Sequence, residues 1–343
     1  MDKPRIPFKS TAKRFLQAVR YFADSDVGWK AKSLFAALIA LLCAANGLNV
    51  ANSFVNRNFM TAIAGRDMAG FVRLAIVSVG VFASATVVAV VARFAEERLG
   101  LLWREFLTRR AIALYLANGV YHRLNESGEL ANADQRIAED VRAFTTTTLS
   151  FILMAINSVL TVLAFAGVLW EISPLLFVVA IVYAACGSYF TLILSNPLVR
   201  LNVDQLDKEA SFRTGLIHVR ESAESIMLAR AESGVAARLN AGLDDLVGNF
   251  RRIITVNLKV GFFTTGYNWM IQIIPALIMA PAFIRGEVEF GVVTQSAIVF
   301  STLVAAISLI VTQYQSLSNF AAVVQRLSAL IVAFERKEPA PAI

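Results

Sequence analysis

The sequence is poor in the residues that form disulfide frameworks, metal sites and charged surfaces. Its 343 residues include only two cysteines and two histidines, and charged residues make up 17 %, whereas a soluble protein of this length carries about a quarter. Cys43 and Cys186 lie far apart inside apolar runs, so we predict no disulfide. His122 and His218 are equally isolated, without a cysteine or carboxylate set at ligand spacing, so we predict no metal site.

No nucleotide-binding loop occurs in the sequence. A Gly-x-x-x-x-Gly-Lys-Ser/Thr segment, whose backbone amides would cradle the phosphates of a nucleoside triphosphate, is missing. The sequence also contains no recognisable pair of a nucleophile and a base. The residues therefore support a translocase component at most, with no ATPase motif and no cofactor on this chain.

Long apolar runs are abundant instead. Apolar residues make up 57 % of the chain, and several runs reach the length of about 18 residues that is needed to cross a bilayer. Because lipid offers the backbone no hydrogen-bond partners, such segments must be helical. The sequence therefore predicts an all-α membrane protein with six transmembrane helices and long cytoplasmic helical extensions. The predicted spans are 32–54, 71–94, 149–170, 174–194, 260–284 and 291–311.

The net charge of +7 comes from basic residues that are concentrated at the N-terminus and in two long loops. This is the positive-inside distribution of membrane proteins, so it argues for a membrane topology and against nucleic acid as a partner. It predicts that both termini are cytoplasmic and, with the alanine- and arginine-rich composition, favours a bacterial inner membrane. We divide the chain into a basic lead-in (1–31), a six-span domain (32–334) and a tail or linker (335–343).

The two cytoplasmic segments, 95–148 and 195–259, are much longer than a simple connection between spans requires. Span 2 continues without a proline into apolar residues at helical spacing between Glu96 and Leu124. We therefore predict one helix that leaves the membrane and continues for roughly 40 Å. A turn is predicted at residues 125–128, Asn-Glu-Ser-Gly, after which another helix returns. Such a rigid hairpin is suited to passing motion between a membrane cavity and a cytoplasmic partner.

Polar residues inside the spans indicate where a cargo or a neighbouring helix lies. A stripe of polar residues in and just after span 1 falls within an arc of roughly 120° at helical spacing: Asn46, Asn49, Asn52, Ser53 and Asn56. Amides that face lipid would be costly, so two interpretations remain: hydrogen bonds between helices, or the wall of a substrate cavity. Further candidates for the same cavity lie in spans 5 and 6, and these are Tyr267, Asn268, Gln272 and Gln295.

Residues 132–141, Asn-Ala-Asp-Gln-Arg-Ile-Ala-Glu-Asp-Val, closely resemble the Asn-Pro-Asp-Gln-Arg-Ile-x-Glu-Asp motif of one branch of the ABC transporters. That branch holds the peroxisomal fatty-acyl transporters of subfamily D and their bacterial YddA-like and SbmA/BacA-like relatives. In this sequence Ala133 replaces the usual proline. Residues 222–232 resemble the second coupling region of the same branch, and the segments after span 1 and around spans 5 and 6 resemble it too.

The resemblance implies the transmembrane domain of an ABC exporter of type 1, in which two copies form a domain-swapped homodimer. ATP and Mg²⁺ would be held by a nucleotide-binding domain, in cis or in trans, whose dimerisation rocks the helices. The cargo would be an amphipathic peptide, a fatty-acyl compound or a cobalamin-like molecule. The loop tips would dock onto that domain, although a solvated turn is the alternative for their charges. The matching positions are Asn132, Asp134, Gln135, Arg136, Glu139 and Asp140 in the first loop and Glu224, Arg230 and Glu232 in the second.

The missing nucleotide-binding loop leaves several possibilities open. The ATP-binding domain is on a separate polypeptide, or the chain is a truncated form, or no ATP is used, as in the proton-driven peptide importers of the SbmA/BacA type. Proton coupling favours a titratable group inside the membrane, and the predicted spans contain no clear interior Asp, Glu or His, which counts against it. A non-transporting membrane scaffold is the remaining alternative.

Overall fold

The structure is a computed structural model that describes residues 28–122, 136–309, 313, 320, 323 and 324. These residues are almost entirely helical and include no strand. Six of the helices are long and apolar enough to cross a membrane. The prediction of an all-α, six-span membrane protein is therefore confirmed. The helices are α1 (Gly28–Ala64), α2 (Met68–Leu116), α3 (Val141–Ile172), α4 (Pro174–Glu221), α5 (Ala223–Leu228), α6 (Glu232–Ile284) and α7 (Phe290–Ile307).

Three of these helices are much longer than the bilayer is thick. The helices α2, α4 and α6 contain 49, 48 and 53 residues, which corresponds to roughly 70–80 Å at 1.5 Å per residue. A hydrocarbon core of about 30 Å accounts for less than half of that length. The remainder forms the helical extensions that the sequence predicts. Pro197, Pro275 and Pro281 lie inside α4 and α6 without ending them.

The end of α2 differs from the prediction. The α-helix ends at Leu116, before the predicted end at Leu124, and continues as a short 3₁₀ turn over Ala117–Gly119. Gly119 has a φ of +67°, a left-handed conformation that glycine adopts without a steric penalty and that no regular α-helix contains. The predicted turn at residues 125–128 lies outside the described residues.

The outer connections are short and contain conventional helix-start signals. Ser173 separates α3 from α4, and its side chain accepts a hydrogen bond of 3.3 Å from the amide of Leu176. Pro174 follows at the first helical position, where its missing N–H costs nothing. Asp67 plays the same role for α2 by accepting a 3.1 Å hydrogen bond from the amide of Gly70.

Two apolar clusters hold the helices together, and α7 links the two halves of the molecule. One cluster joins α1, α2 and α3 and includes Leu38, Trp103 and Phe144. The other joins α3, α4, α6 and α7, with Leu169 and Phe300 fully buried. Because α7 packs against α1, α3, α4 and α6, it connects the two halves, alongside the direct packing of α3 against α4.

Candidate functional site

Asn46 connects α1 to α3 in the middle of the predicted membrane segment. It is only 5 % exposed, and its Nδ2 donates to the carbonyl of Leu42 and to Oδ1 of Asn157, both at 2.9 Å. Its own Oδ1 accepts a 2.8 Å hydrogen bond from the hydroxyl of Thr161. These contacts are those of the helix-packing interpretation, and they place Asn46 against α3.

Ser53 and Gln295 form a second polar contact, between α1 and α7. Both side chains are buried; Gln295 donates from Nε2 to Oγ of Ser53 at 3.2 Å, and Ser53 donates to the carbonyl of Val50 at 2.8 Å. The Oε1 atom of Gln295 has no hydrogen-bond partner among the described residues. A buried amide oxygen without a partner costs about 1–3 kcal/mol, so this contact is less than fully satisfied.

The outer ends of α1 and α7 touch at Gly291. Its amide donates to Oγ1 of Thr61 at 3.2 Å, and Thr61 donates to a carboxylate oxygen of Glu289 at the same distance. A Cβ at residue 291 would overlap the backbone carbonyl of Arg57. The close approach of the two helices therefore requires a glycine at this position.

A cavity of about 630 Å³ lies beside the Asn46 contact, between α1, α3 and α7. Asn49, which is exposed, contributes to its wall. Its other polar lining residues are Asn157, Ser158 and Thr161 of α3 and Ser301 and Thr302 of α7. The volume is within the range of about 300–1,000 Å³ that is typical of small-molecule sites.

The sequence analysis missed the α3 side of this cavity. The criterion that selected span 1 also applies to span 3, where Asn157, Ser158 and Thr161 fall on one helical face. Ser301 and Thr302 are a further polar pair in an apolar run. Of the predicted cavity residues, Asn49 lines this cavity, and Asn46 hydrogen-bonds to two of its lining residues.

The predicted cavity residues of span 5 lie elsewhere in the structure. Tyr267 of α6 stacks on Tyr183 of α4 with ring centroids 4.3 Å apart, and each hydroxyl donates to the other residue's backbone carbonyl. Gly187 leaves room for the Tyr267 ring. Asn268 and Gln272 are exposed on α6, and Asn56 is half-buried on α1. No described residue of α6 lines the 630 Å³ cavity, so a cargo role for these side chains stays a prediction.

The first predicted docking segment is only partly described. Asn132, Asp134 and Gln135 lie outside the described residues. Residues 136–140 form one π-helical turn that leads into α3. Within it Glu139 is exposed, whereas Asp140 is buried. The nearby Ile137 packs against the apolar cluster that joins α1, α2 and α3. A docking role for Arg136, Glu139 and Asp140 stays a prediction.

The second predicted docking segment forms the tip of the α4–α6 hairpin. Glu224 lies in the short helix α5, Arg230 is in the turn that follows, and Glu232 begins α6; all three are exposed. Two apolar side chains accompany them, with Met227 63 % and Leu228 75 % exposed. Arg230 has a φ of +49°, a conformation that is unfavourable for a residue with a Cβ.

The water-side part of the α4–α6 hairpin is held by polar contacts. Asn249 is buried, and its Nδ2 donates to the carbonyl of Leu201 at 3.0 Å and to Oε1 of Gln205 at 2.9 Å. Further from the membrane, Lys208 forms an ion pair with Asp245. These contacts join the two helices well beyond the predicted ends of spans 4 and 5.

The outer turn between α6 and α7 contains an exposed ion pair of Arg285 and Glu287 at 2.6 Å. The hydrogen bond from Arg285 lowers the pKa of the Glu287 carboxyl, and the same bond raises the pKa of Arg285. Because the carboxylate is favoured in the folded chain, its contribution is lost as the pH falls through that lowered pKa. Both groups are fully exposed to water, so solvent screening keeps the effect small.

The described residues include no group of three His, Cys, Asp or Glu side chains that could hold a metal ion. The described residues do form a cavity lined by uncharged side chains and two long helices that end in an exposed tip.

Comparison with known proteins identifies the family. A model described as ABC transporter transmembrane region 2 matches residues 20–284. The chain is 32 % identical over 319 residues to ABC transporter D family member 2, chloroplastic, of Arabidopsis thaliana, covering 93 % of this chain and 45 % of that protein. It is 34 % identical over 302 residues to an uncharacterized ABC transporter ATP-binding protein of Synechocystis sp., covering 87 % and 46 %.

A third relative is the inner membrane ABC transporter ATP-binding protein YddA of Escherichia coli, which is 27 % identical over 247 residues, or 67 % of this chain and 44 % of that protein. The chain spans about half the length of the relatives it matches. The predicted resemblance to the subfamily D and YddA-like branch is confirmed. The chain therefore belongs to the ABC transporter transmembrane region 2 family.

Proposed function

We propose that the chain is the membrane half of a transporter that moves an amphipathic cargo and is driven by ATP hydrolysis on a nucleotide-binding domain. That domain, in cis or in trans, would hold the ATP and Mg²⁺. The observation that carries the proposal is the exposed tip of the α4–α6 hairpin, which stands far from the membrane and combines apolar and charged side chains. The word ATP-binding in the names of the Synechocystis and Escherichia coli relatives supports it.

The chemistry of the tip suits a reversible contact with another protein. Met227 and Leu228 offer apolar area, while Glu224, Arg230 and Glu232 surround it with charges of both signs. Apolar side chains that are exposed to water next to charges are typical of interaction surfaces. A free turn has no need of two adjacent large apolar residues, so the tip supports docking over the alternative of a solvated turn.

The hairpin is built to carry a movement of this tip to the membrane. Asn249 ties the two helices together at one level, and the Lys208–Asp245 pair ties them at another. Within the membrane the stacked Tyr183 and Tyr267 rings continue the connection. A helix pair joined at several heights moves as one rod, so a displacement of the tip would shift α4 and α6 relative to α7.

A second copy of the chain is the proposed partner along the hairpin. Four apolar side chains, Val203, Leu206, Phe250 and Ile254, are 49–66 % exposed on the parts of α4 and α6 beyond the predicted spans. Large apolar residues that face water in such numbers indicate a covered surface. A homodimer in which each hairpin packs against the other copy would cover them, as the family resemblance implies.

The proposed location is an inner membrane with both termini in the cytoplasm. The positive-inside distribution of lysines and arginines supports the orientation, and the name of the relative YddA, an inner membrane protein, supports the compartment. Amphipathic peptides, fatty-acyl compounds and cobalamin-like molecules are the candidate cargoes.

The tip of the hairpin provides the test. We expect the double substitution Met227→Ser, Leu228→Ser to reduce co-purification of the ATP-binding partner, or cargo-stimulated ATP hydrolysis where the domain is in cis, by at least about tenfold. A tenfold loss corresponds to about 1.4 kcal/mol of binding free energy, which is less than the burial of two large apolar side chains contributes. Arg213→Glu changes an exposed residue of α4 in the same hairpin, away from its tip. It is the control and should leave both readouts unchanged. Cargo transport that persists without any ATP-binding partner would refute the proposal.

A further inference from the structure

The cavity between α1, α3 and α7 contains no described charged residue, although six of its lining residues are polar. They are amides and hydroxyls at positions inside the predicted spans. Asn49 and Asn157 are exposed in the isolated chain. An exposed amide inside a span would be costly against lipid, so in the proposed homodimer this wall faces water, a polar ligand group or the second copy.

The hydroxyl groups of the wall have their protons committed to the protein. Ser158 donates to the carbonyl of Ala306 at 2.8 Å, and the single proton of Thr161 is shared between Oδ1 of Asn46 and the carbonyl of Asn157, both 2.8 Å away. Ser301 and Thr302 both donate to the carbonyl of Ile298, at 2.9 and 2.8 Å. A hydroxyl has a single donor and two acceptor lone pairs. Four hydroxyl oxygens are therefore left as acceptors, whereas N–H donors come only from the two amides.

An uncharged wall that offers mainly hydrogen-bond acceptors favours a ligand group that donates hydrogen bonds and carries no charge. A carboxylate or phosphate brings only acceptors and a negative charge, and no described lining residue can neutralise that charge. An ammonium group would likewise be buried without a counter-charge. A primary amide or an alcohol brings donors without a charge. Met154, Phe165 and Leu309 complete the wall with apolar area for the rest of the molecule.

We propose that this cavity binds the uncharged, hydrogen-bond-donating part of an amphipathic cargo, and that it discriminates against an acyl anion. The inference rests on the proposed transport function and narrows it: amide-rich cargoes such as neutral peptides or corrinoid-like molecules fit the wall, and free fatty-acid carboxylates do not. Ser158, Thr161, Ser301 and Thr302 supply the selecting acceptors.

Three probes with the same tail separate the possibilities. Dodecanamide offers N–H donors, methyl dodecanoate offers acceptors alone, and dodecanoate is an anion. Binding of each tritiated probe is measured to the full 343-residue chain in lipid nanodiscs, with correction for partition into protein-free nanodiscs. We expect dodecanamide to bind at least about fivefold more tightly than either other probe, which is the effect of one net hydrogen bond.

Thr302→Val tests the wall itself, because it removes the acceptor while keeping the shape and leaves the Ile298 carbonyl in its helix. We expect it to abolish most of the preference for the amide. Thr86→Val in α2 is the matched control, since Thr86 makes the same hydrogen bond four residues back, to Phe82 at 2.8 Å, away from this cavity. Ser301→Ala provides an independent second variant.

Dodecanoate binding as tightly as dodecanamide, or an amide preference that survives Thr302→Val and Ser301→Ala, would overturn the inference. The assay contains no ATP and no partner, so its outcome does not depend on the energy source. If transport proves independent of ATP while the amide preference holds, the proposed motor is wrong and the cavity assignment stands.

Discussion

Gly291 is the second residue of α7, the helix that links the two halves of the molecule, and its backbone lies against the carbonyl of Arg57. Gly291→Ala must push α1 and α7 apart, because the obstructing atom is backbone and cannot rotate away. We expect a loss of about 1–3 kcal/mol in the free energy of unfolding, as for other overpacked sites, together with a weaker Thr61–Gly291 hydrogen bond. Thermal unfolding in detergent measures the loss of stability. Gly80→Ala, where a Cβ would have no neighbour within 4 Å, is the control; equal stability of the two variants would contradict the described crossing.

Arg230 allows its backbone role to be separated from its charge. Its φ of +49° strains any residue with a Cβ, so Arg230→Gly should relieve that strain by about 1 kcal/mol while removing the guanidinium. Arg230→Ala removes the same charge and retains the strain. If the charge contributes to docking, both variants should weaken the binding of the ATP-binding partner to the same extent, even though their thermal stabilities differ. A partner affinity that follows the stability would show that the residue acts through the turn alone.

For single residues, the sequence showed which positions inside the spans are polar but not which side chains they contact. The arc of span 1 was recognisable because asparagines are expensive in lipid. The partners of Asn46 are Asn157 and Thr161, which are 111 and 115 residues away, and spacing within one helix says nothing about which neighbour it meets. The Ser53–Gln295 contact, across 242 residues, was equally inaccessible.

Among the elements, the α4–α6 hairpin is the one whose stiffness the account requires. Asn249→Leu removes two hydrogen bonds and leaves Oε1 of the buried Gln205 without this donor. We expect a cost of about 1–3 kcal/mol in local opening of the hairpin. Hydrogen exchange of residues 195–259 should accelerate accordingly, by roughly tenfold or more.

Asn240→Leu, an exposed change on the same helix, should leave that exchange unchanged. If the Asn249 variant opens its hairpin and coupling to ATP hydrolysis is nevertheless intact, the hairpin does not act as a rod. The length of α2 was largely predictable, because apolar residues recur there at helical spacing without an interrupting proline, whereas α4 and α6 continue although they contain Pro197, Pro275 and Pro281. The sequence analysis missed the early end of α2, although Asn118-Gly119 is a dipeptide that favours a turn.

In the whole molecule, α7 is the point at which the two halves meet. It packs on α1 and α3 with the cavity between them, and on α4 and α6 through Phe300 and its neighbours. A movement of the α4–α6 hairpin can therefore reach the cavity through α7, and also through α3, which packs against α4. The six spans followed directly from apolar run length, whereas the central place of α7 did not, because run length carries no information about packing order.

The most direct measurement is the intact mass of the protein purified from its native membrane, with an inventory of the chains that co-purify. The account predicts an ATP-hydrolysing domain, either continuous with this sequence or on a tightly bound second chain, and two copies of the membrane half per complex. An isolated 37 kDa protein without any ATPase, whose cargo uptake follows the pH gradient and collapses with a protonophore, would contradict it.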